Sequence, residues 1–231
     1  MKKAICFIVV LFLTHSFANE YQVYLNAVKQ TKLKYQNAYK TSLHKDSVLL
    51  SAGLFLEEQI TNSMFEFWKG TPWDFYGTTD VPKQGKIACG YYVSTSLKHL
   101  GWNVNRYKLA QQTPLNEIQS LDPKAEIIIG GHSVFMDYLK NKATDGLYMI
   151  GLSNHVGMIF KKDTNVYFLH SYFYKNTGVV KENAFSSWLL TNYDTFILGK
   201  ISRNKEFVKK WLTDEEVHIQ TDAPKLTPIK Q

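Results

Sequence analysis

The chain has 231 residues, 27 lysines and arginines against 20 acidic residues, and a formal net charge of +7. That length is enough for one well-buried domain, and no internal repeat or linker divides it. The basic residues are scattered, with no clustered stripe or reading motif, so we expect no nucleic-acid partner.

The first eighteen residues have the pattern of a secretory signal peptide. Lys2 and Lys3 precede an apolar run from Ala4 to Leu13. Ser16-Phe17-Ala18 then has small residues at the two positions that signal peptidase recognises. The run is too short for a membrane span of ~20 residues. We therefore predict cleavage near Ala18 and export to the periplasm or beyond, with no stable membrane insertion of the mature chain.

Apolar residues recur at helical spacing after the signal. The spacing predicts a helix over 21–44 that carries Tyr24, Val28, Tyr35, Tyr39 and Leu43. A second helix is expected to be capped by Asp46, to carry Leu56, Ile60, Met64 and Phe67, and to end near Gly70. Glycines and prolines make 70–88 a loop, and a third helix begins at Cys89 and runs to Leu100, where Gly101 stops it. Short helices are expected near 106–112, 114–120 and 133–141.

The pattern then changes to short segments rich in β-formers. We predict strands over 147–152, 155–160, 165–171 and 195–202, a short helix near 184–190, and a loosely held polar tail over 213–231. Helices followed by an antiparallel sheet indicate one α+β domain over 19–212, with a helical part over 19–69.

Cysteine usage draws attention to one residue. The chain has two cysteines, and loss of Cys6 with the signal leaves Cys89 without an internal partner. Exported proteins normally use cysteines in pairs, so a single one is either reactive or awaiting a partner. A helix N-terminus favours the thiolate form, and Gly90 keeps side-chain bulk away from the sulfur. The alternative is a buried structural cysteine.

Two histidines are candidates for the base that a cysteine nucleophile needs. A four-residue turn over 161–164 would pair Phe160 with Asn165 and place His155 directly opposite His170. One imidazole would then hold the ring and tautomer of the other, as the third member of a catalytic triad does. The alternative is that two unrelated histidines end neighbouring strands.

Other residues flank this pair as candidates for substrate binding. Aromatic residues cluster before the nucleophile, where they either line a cleft or pack in the core: Trp68, Trp73, Phe75 and Tyr76. The substrate-binding candidates are Trp73, Tyr76, Gly90, Tyr91 and Asn154.

The segments in this order resemble one family. The chain carries Gly70-Thr71-Pro72-Trp73, then Ala88-Cys89-Gly90-Tyr91, then His155-Val156-Gly157, then Leu169-His170-Ser171. Over 70–171 the sequence therefore resembles the NlpC-type papain-like cysteine peptidases, bacterial enzymes that mostly cut cell-wall stem peptides. The resemblance implies a papain-like fold, Cys89 as nucleophile, His155 as base, His170 as orienting residue, a peptidoglycan or peptide substrate, and no metal or organic cofactor.

The sequence departs from the family pattern at three positions. Ala88 stands where the family commonly has aspartate, Gly90 where it has serine, and Trp73 where it has tyrosine. Three functions stay open: hydrolysis of an amide bond, acyl transfer or lipid hydrolysis by the same thiol–imidazole pair, and wall binding without catalysis.

Overall fold

A computed structural model describes the backbone of residues 2–174 and 177–222, and the side chains from residue 17 onward within those ranges. Residues 1–16 of the predicted signal peptide over 1–18 lie outside the described side chains, as do the last nine residues of the predicted tail. The described chain is α+β, with helices packed on a six-stranded antiparallel sheet. This confirms the expected class.

The helices are α1 (Lys2–Thr41), α2 (Lys45–Glu58), α3 (Phe65–Trp68), α4 (Cys89–His99), α5 (Arg106–Ala110), α6 (Pro114–Leu121), α7 (Gly131–Asn141) and α8 (Lys205–Thr213). The helices between 45 and 141 lie close to their predicted positions, whereas α1 begins well before the predicted residue 21 and α8 was not predicted. A π-helical turn over Gln59–Met64 joins α2 to α3, and short 3₁₀ turns at Ala184–Ser186 and Leu190–Asn192 replace the helix expected near 184–190.

Two details of the early helices differ from expectation. The residue that precedes α2 is His44, with no side-chain cap, whereas Asp46 lies in the first turn and contacts Lys205 at 2.6 Å. The carboxylate of Asp46 still faces the positive end of the helix. Leu43 was expected on the apolar face, but it follows the end of α1 and is 95% exposed.

The sheet has the strand order β1-β6-β2-β3-β4-β5. Its strands are β1 (Glu126–Ile129), β2 (Gly146–Gly151), β3 (Val156–Lys162), β4 (Asn165–Tyr172), β5 (Gly178–Asn183) and β6 (Thr195–Lys200). The two edge strands, β1 and β5, were not predicted. Each pairs with a single neighbour. β1 reads Glu-Ile-Ile-Ile and β5 ends in Lys-Glu-Asn, so neither has the clear alternation of a half-buried strand.

The register between β3 and β4 corrects the predicted pairing. Lys162 pairs with Asn165 and Met158 with Leu169, two residues away from the expected alignment. Lys161 extends β3 because its ammonium group reaches Asp145 at 2.8 Å, and the turn shrinks to Asp163-Thr164, with Asp163 at φ 55°. The prediction that His155 lies directly opposite His170 is therefore wrong. A shift of two residues does keep both on the same face of the sheet.

The core lies on both faces of the sheet. A larger cluster includes Leu56, Trp68, Val93 and Leu169, and a smaller one includes Phe135, Ile159 and Phe168.

The first part of the predicted tail is packed rather than loosely held. Val217 and Ile219 are buried, and the amide of Val217 donates to the Asn103 carbonyl at 2.9 Å. Within the part of the chain that the structure describes, no helix combines the length and apolarity needed to cross a membrane.

Candidate active site

Cys89 is the first residue of α4, as predicted. Ala88 precedes it in extended conformation, and its amide donates to the Gly77 carbonyl at 2.9 Å. The hydroxyl of Ser171 on β4 donates to the Ile87 carbonyl at 2.8 Å, which ties the approach to Cys89 to the sheet. The thiol is therefore held in place by the loop before it and by the buried face of the helix after it.

The thiol is partly buried at this position. Burial raises the pKa of Cys89, and the backbone N–H of Val156 opposes this shift. Glu117 raises the pKa further where it is ionised, while the backbone N–H groups of Gly90 and Cys89 lower it. The helix N-terminus thus acts in the predicted direction, but desolvation outweighs it. In the free protein the thiol is protonated at neutral pH.

His155 lies immediately before β3. The amide of Leu152 donates to its carbonyl at 2.8 Å, which closes the turn that enters the strand. Both His155 and Cys89 line the same cleft, and Val156, the next residue, presents its N–H to the thiol. Burial, reinforced by His170, holds the pKa of His155 well below its usual value, so the ring is neutral at pH 7.

The rings of His155 and His170 are in contact even though the two residues are not paired across the strands. Nε2 of His155 lies 3.1 Å from Nδ1 of His170, and the ring planes are nearly perpendicular. His170 is buried and stacks on Phe168 with ring centroids 3.9 Å apart. The predicted function of orienting the base is therefore available to His170, although the geometry differs from the predicted one.

Glu182 on β5 was missed by the sequence analysis. Its Oε1 lies 3.4 Å from Nε2 of His170, longer than an ordinary hydrogen bond, and the hydroxyl of Ser187 donates to the same oxygen. Burial raises the pKa of Glu182, but the contacts with His170 and Ser187 outweigh it and the net shift is downward. Glu182 is therefore an anion at neutral pH. Nothing in the sequence pointed to Glu182, because it lies on an edge strand that was not predicted.

The order of these contacts determines where the ring protons lie. Burial lowers the pKa of His170, with Glu182 opposing, so the ring is neutral. Its Nε2 makes no hydrogen bond among the described residues, but the Glu182 carboxylate 3.4 Å away favours the tautomer with the proton on that nitrogen. Nδ1 of His170 is then an acceptor, and Nε2 of His155 donates to it. This leaves Nδ1 of His155 without a proton. Contacts thus run from Glu182 through His170 to His155, and Nδ1 of His155 is the ring nitrogen able to accept a proton.

The cleft that contains Cys89 and His155 has a volume of about 870 Å³. All five predicted substrate-binding residues line it: Trp73, Tyr76, Gly90, Tyr91 and Asn154. Its rings are Trp73, Phe75, Tyr76, Tyr91, Tyr172, Phe173 and Tyr193. Trp68 is instead fully buried in the core and donates to the Tyr21 hydroxyl at 2.9 Å. The aromatic cluster thus divides between cleft and core.

The function predicted for Gly90 needs a correction. A Cβ atom at this position would lie 3.0 Å from the carbonyl oxygen of Ala110. The absent side chain therefore lets α4 pack closely on α5, rather than only keeping the approach to the sulfur open.

Glu117 on α6 is the second residue that sequence reasoning missed. It lines the cleft, is only 2% exposed, and its Oε1 has no hydrogen-bond partner among the described residues. Burial raises its pKa well above the usual value. Its place in the sequence, on a short helix between two loops, carries no signal of this environment.

No group of three or more His, Cys, Asp or Glu side chains in the described part of the chain is arranged to hold a metal ion. Comparisons of the chain with protein-family models, with curated proteins and with solved structures found no match.

Proposed function

We propose that this protein is an exported cysteine hydrolase that cleaves an amide bond, with peptidoglycan stem peptides as its substrate and a papain-like catalytic domain over 19–212. The observation that carries the proposal is that Cys89 and His155 line one cleft while His170 and Glu182 hold His155 from behind. The N-terminal sequence pattern supports export, and the motif order over 70–171 supports the wall substrate.

The resting protonation states favour general-base catalysis over a preformed ion pair. The pKa of the thiol is raised and the pKa of His155 is lowered, so both groups are neutral before substrate binds. When a substrate carbonyl approaches, Nδ1 of His155 takes the thiol proton as sulfur attacks the carbonyl carbon. The imidazolium that forms is stabilised through His170 by the anionic Glu182.

The remaining steps return the enzyme to its starting state. The backbone N–H of Cys89 at the start of α4 donates to the oxyanion of the tetrahedral intermediate, an interaction worth about 10²–10³ in rate. His155 gives its proton to the leaving amine nitrogen as the C–N bond breaks, which leaves a thioester on Cys89. Water then attacks the thioester and gives one proton to His155, which returns it to the sulfur as the C–S bond breaks. The carboxylic acid product leaves and releases its remaining proton to solvent.

The proposal is tested by incubating the purified full-length protein with whole sacculi and analysing the soluble products by mass spectrometry. We expect the parent to release fragments with new carboxylates, and Cys89→Ala to release none while keeping the parent's melting temperature. Cys89→Ser is the isosteric control, since it keeps the shape of the site but replaces the thiol.

Other products would point to the other functions. New amide or ester products would replace hydrolysis with acyl transfer, and release of fatty acid would indicate a lipid substrate. Binding to sacculi by the parent and Cys89→Ala alike, with no released product from either, would contradict catalysis and favour a wall-binding protein.

A further inference from the structure

Glu117 presents an unusual group to the cleft. It is a carboxyl side chain that is 98% buried, that lines the cavity of Cys89, and whose Oε1 has no hydrogen-bond partner among the described residues. Buried polar atoms are nearly always satisfied, and leaving one without a partner costs ~1–3 kcal/mol. Such a group at a binding cleft is accounted for when a ligand supplies the missing partner.

The surroundings determine the form of this carboxyl group. None of the described residues that line the cleft is a lysine or arginine. Arg106 on the neighbouring helix α5 donates instead to the Thr95 hydroxyl and the Thr78 carbonyl, each at 2.7 Å. An isolated carboxylate without a cation is very costly to bury, so the group keeps its proton. A protonated carboxylic acid is a hydrogen-bond donor as well as an acceptor.

We propose that Glu117, as an uncharged carboxylic acid, donates a hydrogen bond to a carbonyl oxygen of the bound substrate. The cleft then selects a peptide segment whose amide is uncharged and disfavours one that places a carboxylate there, because no lining residue provides a positive charge. This inference rests on the proposed function, since it assumes that the cleft binds the acyl portion of a peptide. It assigns Glu117 to substrate binding rather than to the chain of groups behind His155.

The test separates binding from catalysis by using full-length Cys89→Ala, which binds without turnover. The probe is N-acetyl-alanyl-alaninamide, and its carboxylate counterpart N-acetyl-alanyl-alanine is the matched comparison. Dissociation constants are measured by NMR titration for Cys89→Ala alone and combined with Glu117→Gln, Glu117→Leu or Glu117→Met. Glutamine keeps a donor of the same shape, whereas leucine and methionine keep volume without a donor.

We expect the amide probe to bind more tightly than the carboxylate probe. Glu117→Gln should keep the dissociation constant of the amide probe within about threefold of the value for Cys89→Ala alone. Glu117→Leu and Glu117→Met should raise that constant at least about fivefold, as expected for loss of a buried donor. The inference is overturned if the amide probe does not bind, if the apolar variants bind it as well as Cys89→Ala does, or if glutamine weakens it as much as leucine. The last result would mean an ionised Glu117 that pairs with a cation. Failure of the proposed hydrolase would appear separately, as absence of products from sacculi.

Discussion

The Cβ atom of His170 lies only 2.9 Å from the position that a Cβ atom on Gly157 would occupy. The same imaginary atom would lie 2.6 Å from the ring of Phe168 and 2.8 Å from the Leu169 carbonyl oxygen. Gly157 therefore leaves the space through which His155, two residues earlier, reaches His170 along a diagonal. Diagonal neighbours in an antiparallel pair are normally ~7–8 Å apart, within reach only of long or aromatic side chains.

Gly157→Ala is expected to damage both the fold and the site. The added methyl group meets backbone and ring atoms that have little room to move, and overpacking of this kind typically costs ~1–3 kcal/mol. We expect urea denaturation to show a loss in that range and the 3.1 Å contact between His155 and His170 to break. The contact is monitored by the ¹⁵N shifts of the two rings. Unchanged ring shifts in the variant would contradict the close packing at this position.

Glu182→Gln is expected to lower activity without a large loss of stability. The substitution removes the negative charge that faces Nε2 of His170, so the tautomer that prepares His155 is no longer favoured. Replacing the carboxylate directly behind a triad histidine by an amide costs ~10⁴-fold, so we expect a loss of up to that size from this more distant carboxylate. Product release from sacculi measures the effect, and ring ¹⁵N shifts report the tautomers. Glu58→Gln, at an exposed position on α2, is the matched control and should behave as the parent. Parent-like turnover by Glu182→Gln would remove Glu182 from the site.

The thiol of Cys89 is expected to react slowly with a small alkylating agent at neutral pH. Burial raises its pKa, so a smaller fraction is thiolate at any given pH than for a free cysteine. Alkylation by iodoacetamide, followed by intact mass with Cys89→Ala as background, should therefore rise with pH beyond the range where free cysteine levels off. Rapid alkylation near pH 6 would instead indicate a preformed thiolate–imidazolium pair.

Three histidines with lowered pKa values should make the fold less stable as pH falls from 7 to 5, while Glu117, whose pKa is raised, contributes in the opposite direction. Burial lowers the pKa of His99 to about 4, and His155 and His170 are also lowered, so all three stay neutral in the folded state as pH falls below ~6.5. The unfolded chain takes up these protons first, which lowers the free energy of unfolding by up to ~1.4 kcal/mol per pH unit for each histidine. Urea denaturation between pH 7 and 5 measures the slope.

His99→Gln gives the control for this dependence on pH. It keeps an acceptor for the Tyr21 hydroxyl, which lies 2.8 Å from Nδ1, and removes one titrating group. We expect the slope of the free energy of unfolding against pH to fall by ~1.4 kcal/mol per pH unit, which is the contribution of one proton. His218→Gln, at an exposed position, is the matched surface variant. A parent stability that does not change over this range would argue against burial of the three rings.

Glu117→Gln should stabilise the protein increasingly as pH rises. The folded-state pKa of Glu117 is raised, so its contribution to stability is fully present below the usual value of 4.5 and declines as pH climbs toward the folded-state pKa. Glutamine has no such dependence. The gain in melting temperature of Glu117→Gln over the parent should therefore be small at pH 4.5 and larger at pH 8. An equal difference at both values would mean that Glu117 is not desolvated.

Local patterns in the sequence were enough to predict most of the elements around the site. The apolar spacing of Val93, Leu97 and Leu100 placed Cys89 at a helix start. Segments rich in β-formers and joined by a turn placed His155 and His170 on neighbouring strands, and in the structure His155 lies one residue before β3. The register failed because a contact distant in sequence, between Lys161 and Asp145, extends β3 and shortens the turn. Edge strand β5 was missed since its polar half carries no alternation, and Glu182 was missed with it.

By itself the sequence determined the α+β class, the position of Cys89 at a helix N-terminus and the two histidines that face the same way, because these follow from periods of 3.6 and 2 residues along the chain. Only the tertiary structure decided the protonation of the site. The raised pKa of Cys89, the lowered pKa values of both histidines, the anion at Glu182 and the buried acid at Glu117 depend on burial and on neighbours far away in sequence. Desolvation is set by what the whole fold packs around a group, and no local pattern records it.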